Sequence, residues 1–165
     1  MTLQEAKLLC AFNAWATQRI FDALSPLTPE MCTRDLHASH GSIQGTLTHL
    51  VASEKIYSAG LTGAPAPAMP GGLLTIADLK KTWEETGFAI ARWLGTLTDR
   101  RLQEPCTITT ATGTTHAHTI AQVLLHLVDH GTFHRGQIVT LLRQLGVTPP
   151  STGMIKFFRE TARLP

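Results

Sequence analysis

The segment His126-Leu-Val-Asp-His130-Gly-Thr-Phe-His134-Arg-Gly-Gln137 carries three histidines at steps of four. On an α-helix, residues four apart lie one above the other on the same face. Two imidazoles so related can close on a single metal ion, as the histidines of H-E-x-x-H do. The glutamate of that motif is absent, because Leu127, Val128 and Asp129 fill the first gap and Gly131, Thr132 and Phe133 the second. The spacing marks a candidate metal site without a zincin protease signature. The competing reading is ordinary: histidine pairs at i, i+4 are common on helices and are usually solvent-facing or quietly hydrogen-bonded.

The direction of the rings separates the two readings. At ~100° per residue, Ile120, Leu124, Leu127, Ile138, Leu142 and Leu145 fall within an arc of roughly 60°. His134 lies inside that arc and His130 about 60° from its centre, so both rings are turned toward the core, where an unpaired polar group is costly. His126 lies about 100° from the centre, beside Gln137. It is the weakest ligand candidate of the three, and both it and Gln137 are expected to border the ligands rather than to bind the ion. Gln137 is placed to hydrogen-bond a ligand ring or to meet water. Arg135, toward the edge of the arc, is expected to pair with a carboxylate or a backbone carbonyl between helices.

These residues need helices to hold them. Leu3 to Leu24 has apolar residues at helical spacing and ends at Ser25-Pro26, since the residue before proline is driven out of the α region. Thr28-Pro29-Glu30 opens a short turn of helix, and Thr33 to Gly41, which holds His37 and His40, has no period and reads as a loop. Ser42 to Leu61 is the second long helix, with Ile43, Leu47, Leu50, Glu54, Tyr57 and Leu61 in one seam. His49 lies about a quarter turn off that seam, which by pattern alone makes it exposed or interfacial. Ala64 to Gly72 is a proline- and glycine-rich connector whose ends are expected to lie close together. Thr75-Ile-Ala-Asp78 is a capping-box variant opening a third helix that runs to about Thr98. Cys106 to His118, β-branched around Gly113, reads as two short strands of a hairpin. Thr119-x-x-Gln122 caps the fourth long helix, which runs to Leu145 with Gly146 as its stop, and Ser151 is placed to cap a short last one. This pattern argues for an all-α fold in one domain spanning 1–165. It is a four-helix bundle with a small β-hairpin before the last long helix and a short C-terminal helix.

Composition narrows the function further. Apolar residues make up 43% of the 165 and charged residues 16%, as in a compact soluble domain with a low-charge surface. A formal net charge of +2 without any Lys/Arg run argues against a nucleic-acid partner. Cys10, Cys32 and Cys106 are scattered and odd in number, which disfavours a disulfide framework or a cysteine zinc site and makes the cytoplasm the expected compartment. The first residues lack a basic n-region and an apolar h-region, so no leader peptide is expected, and no apolar run reaches the ~18 residues of a membrane span. His37, His40, His116 and His118 fall in loops or the hairpin; His40 could reach the mouth of the site, but loop histidines seldom do, and all four are left outside the expected ligand set. Trp15, Trp83 and Trp93 are expected in the core, with a cleft or a dimer seam as the other possibility.

The stretch LLHLVDHGTFHRGQIVTLLRQLGV, within Thr119 to Val147, resembles the last long helix of the DinB and YfiT-like bundles. That family of small bacterial proteins includes the DNA-damage-inducible DinB proteins and the bacillithiol and mycothiol S-transferases. FNAWATQRIFDAL (Phe12 to Leu24) is similar to the family's first helix and TLTHLVASEKIY (Thr46 to Tyr57) to its second. The H-x-x-x-H-R-G-Q core is the most specific part of a likeness that spans essentially the whole chain. The resemblance implies a metal site made by one histidine of the second helix and two of the fourth, here His49, His130 and His134. It overrides the pattern reading of His49, because a ligand beside an apolar seam can still face a cleft. Asp129 stands where relatives often carry asparagine and points away from the core.

Three neutral imidazoles with open positions make a catalytic rather than a structural shell, suited to Zn, Ni, Fe or Co. Two reaction classes follow from the charge such an ion retains. One is attack by a bound low-molecular-weight thiol on an electrophilic small molecule, in an S-transferase or a thiol-dependent isomerase. The other is hydrolysis by a bound hydroxide. The family contains both, and the non-catalytic alternative is a dimeric bundle whose metal is structural. Relatives of this size commonly pair, so a homodimer is expected, with a small-molecule substrate and no membrane partner.

Overall fold

The computed structural model describes residues 1–65, 67 and 74–161. Four long helices form it: α1 (Leu3–Leu24), α3 (Ile43–Thr62), α4 (Ile76–Leu94) and α5 (Ile120–Gln144). Short α2 (Pro29–Thr33) joins the first two, and α6 (Met154–Thr161) follows the last. A 3₁₀ turn over Asp99–Gln103 leads into β1 (Pro105–Thr109) and β2 (Thr115–Thr119), a two-stranded antiparallel hairpin pairing Pro105 with Thr119 and Thr109 with Thr115.

Local sequence sets these boundaries. Thr2 and Glu5, Thr75 and Asp78, and Thr119 and Gln122 each make a reciprocal capping box, satisfying donors that a helix start leaves bare. Ser42 caps α3 through a 3.0 Å bond accepted from the Gly45 amide. The second, third and fourth long helices expected from sequence are thus α3, α4 and α5. Two expected limits are corrected. α4 stops at Leu94, not near Thr98: the Gly95 amide turns in to the Ala91 and Arg92 carbonyls, and the Thr96 hydroxyl closes on Trp93 O at 2.7 Å. The chain then enters the 3₁₀ turn, which Asp99 ties to α1 by accepting from the Leu3 amide at 2.7 Å. The last helix starts at Met154 rather than directly after Ser151. Of the Ala64–Gly72 connector, only Ala64, Pro65 and Pro67 are described, and the closeness of its ends lies outside the described residues.

α3 packs against α4 and α5, and α1 against α5 and, less extensively, α4, which leaves α1 diagonal to α3. The seams meet in two main clusters. Ile20, Leu47, Leu50, Trp83, Ile138 and Leu142 close one end of the bundle; Leu61, Leu94, Leu102, Ile108, Leu124 and Leu127 close the other. A third, smaller cluster forms where Phe157 of α6 seats against Phe12 and Trp15. β1 lies directly on α3, so close that a side chain at Gly60 would meet the backbone of Thr107. Among the described residues no helix is long and apolar enough to cross a membrane.

Candidate metal centre

Four imidazoles converge between α3, α5 and the loop that precedes α3. His49 stands half-buried on α3, with His130 and His134 on α5 one turn apart; the ring of His134 is 5% exposed. The His49 and His130 Nε2 atoms are 3.2 Å apart. The centroids of His49 and His134 are 4.6 Å apart and those of His130 and His134 4.3 Å. The fourth ring is His40, stacked on His49 at 4.2 Å and 17° between planes. The potential ligand atoms of His40, His49 and His134 all lie within 4.8 Å of one another, a group able to hold a metal ion. The triplet expected from sequence, His49, His130 and His134, shares two members with it, and the contact between His49 and His130 brings all four rings into one cluster.

Sequence reasoning left His40 aside because periodicity says nothing about a loop. The chain folds back along α3 there: His37 and Gly41 both adopt left-handed φ (56° and 72°), and Leu36 N donates to Gly41 O at 2.8 Å. A Cβ on Gly45 would sit 2.1 Å from the His40 carbonyl oxygen, so the close seat of the loop requires glycine at that position. Residues 45 and 49 share a helix face, and a loop pressed on Gly45 therefore delivers the His40 ring onto His49. The one legible signal was a histidine shortly before the Ser42 cap with a glycine one turn into the helix.

Burial favours the neutral form of the three helix-borne rings. Burial, with His40 and His134 beside it, pushes His49 down to about 4. Burial, with His134 and His49 next, pushes His130 down to about 4. His134 is also lowered by burial, against the opposing effect of a 2.8 Å hydrogen bond between its Nδ1 and Gln137 Oε1. That bond makes Nδ1 the protonated nitrogen, since an amide oxygen only accepts, and leaves Nε2 bare. His130 Nδ1 is buried and has no partner. A hydrogen bond between the facing Nε2 atoms of His49 and His130 pairs both of those nitrogens and leaves His130 Nδ1 as the unpartnered one.

Beneath the cluster lies a buried polar network. Arg135, 1% exposed, donates to Asn13 Oδ1 and, at 3.0 Å each, to the hydroxyls of Thr17 and Thr132. Asn13 in turn donates to Glu54 Oε1 at 2.8 Å. In place of the carboxylate or backbone carbonyl expected from sequence, Arg135 pairs with a side-chain amide and two hydroxyls, and Glu54 is reached only through the Asn13 amide. Burial raises the Glu54 pKa, opposed by the Asn13 hydrogen bond and the Arg135 charge. Burial lowers Arg135 to about 10, which leaves it cationic at neutral pH. Gly131 makes room for the network, since a Cβ there would reach Asn13 Oδ1 and Arg135 Nη1. The order His130-Gly131 and His134-Arg135 thus alternates rings facing the cluster with parts of its support.

The remaining histidines sit elsewhere. His126 is exposed, with its ring edge on Tyr57 at 4.7 Å and 5.5 Å from that of His130. His37 is exposed in the loop, and His116 and His118 are exposed on β2. Trp83 is buried in the core, while Trp15 and Trp93 are partly buried. A cleft of about 410 Å³ opens at His49, lined by Thr48, Ser53, Ile56, Tyr57, Ile108 and Thr110 among others. A second cavity of about 360 Å³, lined largely by α1 and α4, holds Cys10, Glu54 and Trp83 but none of the histidines.

Comparison with known proteins agrees with this architecture. The model of the DinB family matches residues 2–163. The chain belongs to the DinB family. It is 28% identical over 165 residues to Protein DinB of Bacillus subtilis (strain 168), covering 94% of this chain and 95% of that one. A crystal structure of a DinB-like protein from Bacillus cereus ATCC 10987 superposes with a TM-score of 0.66. At 20% identity, with 84% of this chain and 91% of that chain covered, it shows the shared DinB-like bundle fold.

Proposed function

We propose that this chain is a divalent-metal-dependent enzyme whose ion is held by His49, His130 and His134. It transfers a low-molecular-weight thiol to an electrophilic small molecule. The observation that carries the reading is the convergence of neutral imidazoles, with depressed pKa values, at the edge of a cleft. The residues fit a cation. The His49 and His130 Nε2 atoms face each other at 3.2 Å, and a hydrogen bond between them still leaves the buried His130 Nδ1 without a partner. Gln137 fixes His134 in the tautomer that leaves Nε2 free, the usual service of a hydrogen-bonded outer partner. An all-imidazole donor set suits Zn, Ni, Fe or Co. Such an ion keeps its charge and acidifies a thiol or water that meets it.

The thiol has to come from outside the protein. Burial pushes Cys10 up to about 11 and also raises Cys32 and Cys106. All three stay protonated and poorly nucleophilic near neutral pH. The cleft offers what a small polar thiol needs: hydroxyls of Thr48, Ser53, Tyr57 and Thr110 to orient it, and Ile56 and Ile108 as an apolar wall. A hydrolase is the second reading, since the same site can direct water at an ester or amide. The third is a metal-binding bundle without catalysis. We also propose a homodimer in the cytoplasm; Phe88, 67% exposed on α4, is an apolar group that pairing would cover.

The test loads the metal-free protein with each of the four ions and assays electrophile consumption with and without a panel of small thiols. Turnover that needs both metal and thiol supports the transferase. Turnover of esters or amides with metal alone moves the assignment to hydrolase, and no turnover in either assay to the non-catalytic reading.

A further inference from the structure

We propose that His40 is a fourth ligand of the same ion, delivered by the loop between α2 and α3. The proposal rests on the metal reading given above and extends it to a residue outside the three helix-borne histidines. Its first support is geometric: the nitrogens of His40, His49 and His134 all lie within 4.8 Å of one another. The second is that the loop is built to hold the ring there. Leu36 N donates to Gly41 O, Gly41 N to Ala38 O and Ser42 N to His40 O, each at 2.8 Å. Gly45 lets the His40 carbonyl press onto α3 where a Cβ would stand 2.1 Å from it. A loop that merely covered the helix end would not need so close a seat.

The consequence concerns the open position. An ion held by all four imidazoles would have a full four-coordinate shell, and a thiol would reach it by adding a fifth ligand or displacing a ring. His49, His130 and His134 stand on long helices whose positions are fixed by the core. His40 stands on the loop between α2 and α3 rather than on a long helix. With an ion bound, His40 would be the ligand that an incoming thiol displaces.

The experiment uses the full chain loaded with Co²⁺, whose visible absorption reports ligand number and type. Wild type is compared with His40→Ala, Gly45→Ala, His49→Ala and His134→Ala, with helical circular dichroism as the folding control. His40→Ala is expected to lose more than about tenfold in Co²⁺ affinity, the low end of what even a partner outside the ligand shell is worth. Its spectrum should shift as a ring is replaced by water. Gly45→Ala, which moves the loop but keeps the imidazole, should shift both in the same direction. Titrating wild type with 2-mercaptoethanol should bring in a thiolate-to-cobalt absorption without adding to the number of ligands. Unchanged affinity and spectrum in His40→Ala, with loss of metal in His49→Ala and His134→Ala, overturn the His40 claim alone. Absence of Co²⁺ uptake by wild type overturns the metal reading itself.

Discussion

Replacing Arg135 by methionine tests whether the network under the histidines supports the fold. Methionine keeps the apolar stem but removes the guanidinium and with it every donor. Asn13 Oδ1 and the Thr17 hydroxyl lose their guanidinium partner in a region where Thr17 is fully buried. Glu54, 4% exposed, loses the Arg135 charge that lowers its pKa. A buried acceptor left unpaired costs about 1–3 kcal/mol, and breaking a buried charged partnership about 3–5 kcal/mol. These overlap, because the variant also removes a desolvated charge and the contact of Arg135 with the Phe12 ring at 5.6 Å is partly replaced by the methionine stem. The net expectation is a loss of ~3 kcal/mol, which at ~2–4 °C per kcal/mol for a domain of this size lowers Tm by roughly 6–12 °C. Urea unfolding of metal-free protein, followed by far-ultraviolet circular dichroism, gives the value without contribution from ion binding. Adding Glu54→Gln should return part of the loss, since the amide still accepts from Asn13 and carries no charge. A loss under ~1 kcal/mol, or no recovery in the double variant, would refute the coupling of Arg135 to Glu54.

Gly131→Ala should destabilise by about 1–3 kcal/mol through crowding of Asn13 and Arg135, although alanine alone favours a helix by ~1 kcal/mol; urea midpoints check it. The metal-free protein should lose stability with acid. His49 and His130 have folded values near 4, below the ordinary ~6.5. Their contribution is therefore complete above about 6.5 and is lost as pH falls through about 4. Tm measured across that range should fall, and the fall should flatten in His49→Ala/His130→Ala. Glu54 acts in the opposite sense: its raised value gives stability that is present below the ordinary ~4.5 and lost as pH rises through the folded value, so Glu54→Gln should remove that part of the slope. Light scattering at micromolar concentration should give twice the 17.9 kDa mass of one chain; a mass near one chain would remove the dimer.

The bundle was legible because its signals are local. Capping boxes at Thr75 and Thr119 and stops at Ser25 and Gly146 mark helix ends through a few neighbouring atoms. The buried seams of α3 and α5 recur at helical spacing and need no tertiary knowledge. The end of α4 was less legible, because Gly95 and Thr96 turn the chain through backbone contacts that the apolar pattern, continuing to Leu97, conceals. At the site, the direction of His134 toward the core follows from its place in the α5 arc. His49 needed the family resemblance, since its position off the seam looks like exposure. His40 was legible only as a ring able to reach the mouth of the site, because its close seat depends on the left-handed His37 and Gly41 and on the missing side chain of Gly45. The Arg135–Asn13–Glu54 chain joins three helices, and no single-helix pattern contains it. A single glutamate in an otherwise apolar α3 seam and an arginine at the edge of the α5 arc were its visible traces.

Metal content of the ligand variants tests the central claim most directly. Protein purified without an affinity tag or added metal, then dialysed against a chelator that wild type withstands, is measured by elemental analysis. Wild type and His126→Ala should hold one divalent ion per chain, because the His126 ring is exposed at the margin of the cluster. His49→Ala, His130→Ala and His134→Ala should lose most of it while keeping their helical circular dichroism, since the core seams do not depend on these rings. Full occupancy in His134→Ala, or loss of metal only in His126→Ala, would contradict the account and return these histidines to ordinary packing.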